Sequence, residues 1–295
     1  MHIALTFTLM HDRFHSDDPK QSTAELFHWC RGVQEFNSKL SSNSLTSSEK
    51  DAIWVTAALL GCTSLAQVDG RIPEEVWPLK EPSPSDLDWL RMSEGKKEVW
   101  RVADLSRPDS SLRALTHMPM DDFMTKPTDE EALANLPPEF LEICGITHDS
   151  NRENNDYYAL LCVAARLMPI NPNQANLIRF MTFLSQMSAN FRYLLEQKEP
   201  RAMLLLLWYH AKVSQHHHWW WWKRASLEGR AMCIYLERYH SDMPHMLKLL
   251  EFPKTHCYRE YGGSISPVST STSNSWSLAP TPSTPSSTPP ASLPT

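Results

Sequence analysis

Three consecutive histidines, His216, His217 and His218, run directly into four tryptophans, Trp219, Trp220, Trp221 and Trp222. Imidazole is a common ligand for divalent metals, and clustered tryptophans anchor partners or apolar ligands. Geometry argues against the metal: adjacent residues of a helix point about 100° apart, so three in a row do not converge on one ion. His240 and His245, on either side of Pro244, make no better pair. The tryptophans obey the same limit. If helical, they fan around the axis, so some enter a core while others meet another element or solvent. They either lock two helices together or mark a contact surface.

Cysteine chemistry is equally restricted. Cys30, Cys62, Cys144, Cys162, Cys233 and Cys257 include no pair at C-x-x-C spacing, and most sit inside apolar helical patterns. They read as buried reduced thiols rather than zinc ligands or a disulfide framework. The sequence contains no G-x-S-x-G, H-E-x-x-H, G-x-x-x-x-G-K-[ST] or G-x-G-x-x-G. Glycines number eight, two of them at 262–263, too few for phosphate-cradling loops. No catalytic residue, metal ligand or resident cofactor is assigned, and the chain is expected not to be an enzyme.

The elements that must position these side chains are helices. Ser22 with Glu25, and Thr46 with Glu49, have the hydroxyl-to-glutamate spacing of capping boxes, and they predict helices over 23–40 and 47–68. Ile53, Ala57, Leu60, Ser64, Leu65 and Val68 recur at helical spacing along the second. After a proline-rich turn section, Ser85 and Asp86 predict a helix start, with Trp89 and Trp100 on that helix. Prolines interrupt 104–154, which reads as a surface insertion or a loop bearing short helices. Helices resume over 157–168, 173–197, 202–214 and 223–240. Pro172 and Pro200 lie near helix starts, where a missing N–H costs little.

With 295 residues, 41% hydrophobic, the chain can bury a sizeable core. A net charge of −6 gives no electrostatic footprint for nucleic acid. The amino terminus lacks the basic region and cleavage site of a signal peptide, and no stretch is apolar enough to span a bilayer. The expectation is a soluble, non-secreted, all-α protein with one large multi-helix domain over 1–261. Residues 262–295 are rich in Ser, Thr and Pro without a charged side chain, and are expected to form a disordered tail. Ser266, Thr281, Thr284 and Thr288, each followed by proline, are possible phosphorylation sites or parts of an inert tail.

The stretch 200–238 carries the strongest signal. Residues 202–209 are continuously apolar, which predicts a helix buried on most sides. In the next helix Leu227, Ala231, Ile234 and Tyr235 form one stripe, with Glu228, Arg230 and Glu237 expected largely elsewhere. Two such helices make either a closed core or the walls of an apolar pocket. The pocket candidates are Met203, Leu206, Leu207, Trp208, Met232 and Tyr235. Trp219, Trp220, Trp221 and Trp222 are the interaction candidates.

Four stretches in matching order resemble the carboxy-terminal regulatory domain of fungal binuclear-zinc-cluster transcription factors. The sterol uptake control proteins are the most similar subgroup. The stretches are Met1-His2-Ile3-Ala4-Leu5 to Met10-His11, then Ala52-Ile53 to Gln67, then Asp88-Trp89-Leu90-Arg91-Met92 with Gly95. The last is Pro200-Arg201-Ala202 to Lys212 with the four tryptophans. The resemblance implies a helical effector domain of a nuclear regulator of RNA polymerase II transcription, shuttling from the cytoplasm in some cases. It implies a sterol or similar apolar ligand, and homodimer or coregulator contacts. The family's six-cysteine zinc cluster is absent, so zinc and DNA contact are expected only from a missing upstream region. A helical interaction module without DNA binding is the alternative.

Overall fold

Hydroxyl side chains start the first long helices as their spacing requires. The computed structural model describes residues 1–16, 20–42, 44–117 and 120–258. The first three helices are α1 (His2–Phe14), α2 (Thr23–Leu40) and α3 (Ser47–Ala66). Thr46 caps α3 in a complete capping box: its hydroxyl accepts from the Glu49 amide at 3.3 Å, and the Thr46 amide donates to Glu49 Oε2 at 2.9 Å. Ser22 accepts from the Glu25 amide at 3.1 Å, yet the Glu25 carboxylate does not return to the cap. It is buried and takes a bidentate bond from Arg13 at 2.9 and 3.0 Å, which ties α2 to α1. Sequence spacing found the cap and missed the tertiary use of its acid.

Next come α4 (Asp88–Ala103), α5 (Met120–Thr125), α6 (Asp129–Leu133), α7 (Pro138–Ile143) and α8 (Tyr158–Leu167). They are followed by α9 (Leu177–Gln186), α10 (Ala189–Glu196), α11 (Pro200–Val213), α12 (Trp222–Tyr239), α13 (Met246–Leu249) and α14 (Glu251–Cys257). No strand occurs among the described residues. The fold is all-α. The single helix expected over 173–197 is two, because Ser188 takes an extended conformation and caps a new start, accepting from the Phe191 amide at 3.0 Å.

The section 104–154 carries short helices, and they enter the core. Phe123, Leu133, Leu136, Phe140 and Ile143 are all buried in the main apolar cluster. Its first part is pinned to α3 by Asp51, which accepts from Ser110 Oγ at 2.8 Å, Ser111 Oγ at 2.6 Å and the Arg107 guanidinium. The expected disordered tail at 262–295, with its four possible phosphorylation sites, lies outside the described residues. No helix among the described residues is long and apolar enough to cross a membrane.

At the centre runs α11. Every residue from Ala202 to Val213 is buried, so this helix has no solvent face. Pro200 occupies its first turn, as expected, and Glu199 caps it by accepting from the Ala202 amide at 2.8 Å. Tyr209 stacks on Phe183 at 4.1 Å between centroids and donates to the Phe180 carbonyl at 2.8 Å, so its hydroxyl is satisfied within the core.

Helix α12 lies against both α11 and α14, and the fit with α14 is close at Gly229. A Cβ built there would stand 2.5 Å from Cys257 Sγ, inside contact distance. Gly229→Ala gains about 1 kcal/mol of helix propensity but incurs overpacking of roughly 1–3 kcal/mol, so net destabilisation is expected. In Gly229→Ala/Cys257→Ala the space opens and the Gly229→Ala penalty disappears. Urea denaturation of the four proteins in the cycle measures this coupling, and strict additivity would refute the contact.

Candidate functional site

Helix carbonyls at a C-terminus lack intrahelical partners and concentrate partial negative charge. At the end of α3 they are met by two cations from the first turn of α12. Arg224 donates from Nε to Leu65 O at 3.1 Å, and from Nη2 to Ser64 O at 3.1 Å and Gln67 O at 2.5 Å. Lys223 Nζ donates to Val68 O at 2.9 Å. The remaining Arg224 nitrogen pairs with Glu228 Oε1, one helical turn on. Arg224 and Glu228 are both buried, and the Arg224 guanidinium lies 4.9 Å from the centre of the Trp89 ring. Residues 155–160 apart in sequence are thus joined through one planar side chain.

Behind Trp89 stands His210 of α11, with ring centroids 5.9 Å apart in an edge-on arrangement. His210 is wholly buried, and neither ring nitrogen has a hydrogen bond of good geometry. Burial, reinforced by the Arg224 charge, pushes its pKa down to about 3, so it is a neutral imidazole. Burial pushes Glu228 the other way, up to about 7, although Arg224 opposes that shift. Glu228 Oε2 has no partner.

Trp89, Arg224 and Glu228 of this cluster line a cleft of about 350 Å³. Trp29, Trp77 and Trp89 contribute to its walls. Lys80 pairs with Asp86 at 2.7 Å inside it, and Asp69, Glu75 and Asp88 stand exposed at its rim. A groove of about 520 Å³ lies between α1, α2 and α3, beside Ile3, Phe36 and Ile53. A third hollow, of about 300 Å³, sits beside Met10, Phe14 and Trp219. Of the three, only the 350 Å³ cleft has a buried polar atom without a partner in its lining.

The residues singled out from sequence fall elsewhere. Met203, Leu206, Leu207, Trp208 and Met232 are buried in the main core, against aromatic and aliphatic neighbours. Trp208 packs on Phe140 at 4.9 Å and Phe252 at 4.7 Å, and donates from Nε1 to Leu249 O at 2.9 Å. Tyr235 is half-buried beside Tyr239, at 4.8 Å, with the Lys198 ammonium 5.3 Å from its ring centre. None of these six lines any of the three cavities described above.

The four tryptophans are not helical together: Trp219, Trp220 and Trp221 form the turn before α12, and only Trp222 belongs to the helix. Trp220 and Trp221 stack at 5.3 Å and are buried, with Trp221 5.7 Å from Tyr209. Trp219 turns to α1, where Phe7 lies at 4.6 Å and His11 at 5.1 Å. Trp222 is half-buried, with the His217 ring at 4.9 Å. His218 is buried on the Pro172 carbonyl at 3.0 Å, and His216 lies over its ring at 4.4 Å. Among the described residues no three His, Cys, Asp or Glu side chains are grouped to hold a metal ion. Of the six thiols, all free, Cys30 is exposed, Cys62 is half-buried and the other four are buried.

Glu228 corrects the reading of α12. The predicted stripe left it outward, but it is buried, while Ile234 and Tyr235 of that stripe are only half-buried. A helix packed on two sides buries more than one stripe, and the apolar periodicity reports only the first. Arg224 and Glu228 at i,i+4 beside four tryptophans were the available signal, and on an exposed helix the same pair is routine.

No family model, no curated protein and no solved structure matches the chain.

Two opposed pH effects follow. His210, at about 3 folded against 6.5 free, contributes stability that is complete above pH 6.5 and is lost as pH falls toward 3. Glu228, at about 7 folded against 4.5 free, contributes stability that is complete below pH 4.5 and is lost as pH rises through 7. Relative to the parent protein, His210→Leu should therefore gain stability as pH drops from 6.5 to 4.5. The limiting slope is about 1.4 kcal/mol per pH unit. Glu228→Gln should lose stability over the same interval. Urea denaturation at a series of pH values measures both, and three parallel profiles would refute the two assignments.

Proposed function

We propose that this chain is the effector portion of a fungal zinc-cluster transcriptional regulator, a non-enzymatic helical domain that controls RNA polymerase II transcription from the nucleus. One observation carries the reading: the four stretches that bear the resemblance meet at one place. Helix α1 packs on Trp219, the end of α3 is bound by Arg224, and Trp89 of α4 lies under the same guanidinium. Helix α11 presents His210 to Trp89. The four stretches thus belong to one packing unit, as the resemblance requires of a single effector domain.

In this reading DNA contact and zinc belong to a six-cysteine cluster that the sequence lacks, and no residue here is assigned to either. A sterol would act by population shift, favouring one of two packings of α11 against α12 around Met203, Leu206 and Met232. Because these side chains are closely packed, the ligand would bind a more open conformer than the one described. The test is a fusion of the chain to an unrelated DNA-binding domain in a reporter strain. The fusion should alter transcription relative to the DNA-binding domain alone, and sterol depletion should change that output. A folded, nuclear fusion that leaves the reporter unchanged in both conditions would sink the regulatory reading. Dependence on tethering without dependence on sterol would remove the ligand.

A second reading is an interaction module acting by self-association. It is favoured by α2, where Leu26 and Phe27 are 49% and 58% exposed beside an exposed Cys30. With Trp220 and Trp221 buried, this face is a better contact surface than the tryptophan run. Light scattering should then find a dimer that Leu26→Glu/Phe27→Glu converts to monomer. A monomeric parent protein at high concentration would reject the idea.

A further inference from the structure

The cleft above Arg224 contains an imbalance that its own residues do not resolve. Four of the five Arg224 N–H donors are committed, to the carbonyls of Ser64, Leu65 and Gln67 and to Glu228 Oε1. Lys80 is held by Asp86. What remains unspent is an acceptor: Glu228 Oε2, on a residue only 3% exposed, with no partner. A buried carboxylate oxygen without a donor is costly when charged, and a ligand supplying that donor recovers much of the cost.

Two independent features define the ligand's chemistry. The rim is acidic: Asp69 and Glu75 are exposed there, beside Asp88, which pairs with Arg91 at 3.1 Å, while the two cations of the cleft are both committed to internal pairs. The walls are aromatic, with Trp77 buried and Trp29 half-buried. Among the described residues, cations lie over Phe123, Tyr235, Trp89 and Tyr239, and none over Trp29 or Trp77. Indole rings lining an acidic cleft favour a cation, and one that donates hydrogen bonds also satisfies Glu228 Oε2. A volume of about 350 Å³ lies at the small end of ligand pockets and excludes bulky molecules.

We propose that this cleft binds a small organic cation, a primary ammonium or guanidinium compound. Its N–H groups donate to Glu228 Oε2, its charge is matched by Asp69 and Glu75, and its carbon chain lies along Trp29 and Trp77. An anion is disfavoured at the same place, since four of the five Arg224 donors are occupied and the nearby Glu228, Asp69 and Glu75 carboxylates would repel it. The site is separate from the α11–α12 interior discussed for a sterol, and its existence does not depend on the transcriptional reading.

Agmatine, which carries both a guanidinium and a primary ammonium, is the probe, and butyrate is the control of opposite charge. Titrations of the full chain by calorimetry and by saturation-transfer NMR are run at about pH 8, above the value of about 7 to which burial raises Glu228. Saturable agmatine binding with a dissociation constant of about 1 mM or tighter is expected, with none for butyrate. Glu228→Gln should weaken it by about tenfold or more, the worth of one charge-assisted hydrogen bond. Asp69→Asn, an exposed change that leaves the fold intact, should weaken it a few-fold, and that difference should vanish at 1 M salt. A lysine-containing peptide forms a third arm: binding tighter than agmatine's would overturn the small-molecule assignment in favour of a protein partner. Absence of saturable agmatine binding to the folded protein, equal binding of butyrate, or unchanged affinity in Asp69→Asn and a folded Glu228→Gln would overturn the site.

Discussion

One guanidinium holds the two halves of the helical unit in register. The last turn of α3 ends with carbonyls that no helix can satisfy internally, and α12 begins where Arg224 can reach three of them at once. Lys cannot reproduce this, because a single ammonium lacks the planar fork that spans Ser64, Leu65 and Gln67. Once Arg224 is placed, Trp89 must lie under it and Glu228 beside it, and α4 and α12 lose most of their freedom to slide. The pair with Glu228 is poor grounds for claiming stability, since desolvation offsets much of the attraction. Its role is positional.

The core around α11 follows a different logic. Apolar burial is non-directional, so residues 202–213 would tolerate many neighbours of suitable volume. The hydrogen bonds set inside that core are what select one arrangement: Tyr209 to Phe180 O, Trp208 to Leu249 O and Ser226 Oγ to Cys257 O at 3.0 Å. Each joins elements distant in sequence, and each would be left unsatisfied by a shifted packing.

Local features were legible in the sequence because local physics determines them. The caps at Ser22 and Thr46, the start at Pro200 and the burial of α11 all follow from spacing over a few residues. The break at Ser188 had a legible N-cap residue, but the apolar pattern on both sides ran through it. The short helices of 104–154 were obscured by prolines, although Thr128 and Glu131 form a capping box at α6. Helices α13 and α14 gave too few turns for a periodic signal. The cleft was the least legible feature. It depends on which acids and indoles meet across some 200 residues, and no spacing rule reports that. Sequence reasoning sought a pocket among apolar side chains, where close packing is the ordinary outcome, whereas the unsatisfied chemistry lies among buried charges.

The separation between α3 and Arg224 also has a meaning in time. A ribosome emits α1, α2 and α3 first, then needs more than 150 further residues before Arg224 and Trp219 emerge. At about 5–20 residues per second this delay is roughly eight to thirty seconds. Throughout it, the end of α3 is open to water and the α1 surface around Phe7 and His11 lacks its tryptophan. The amino-terminal helices therefore spend their first moments as an unfinished surface with exposed apolar side chains. A nascent chain of this design is a natural client for chaperones, and translation must run past residue 224 before its beginning can close.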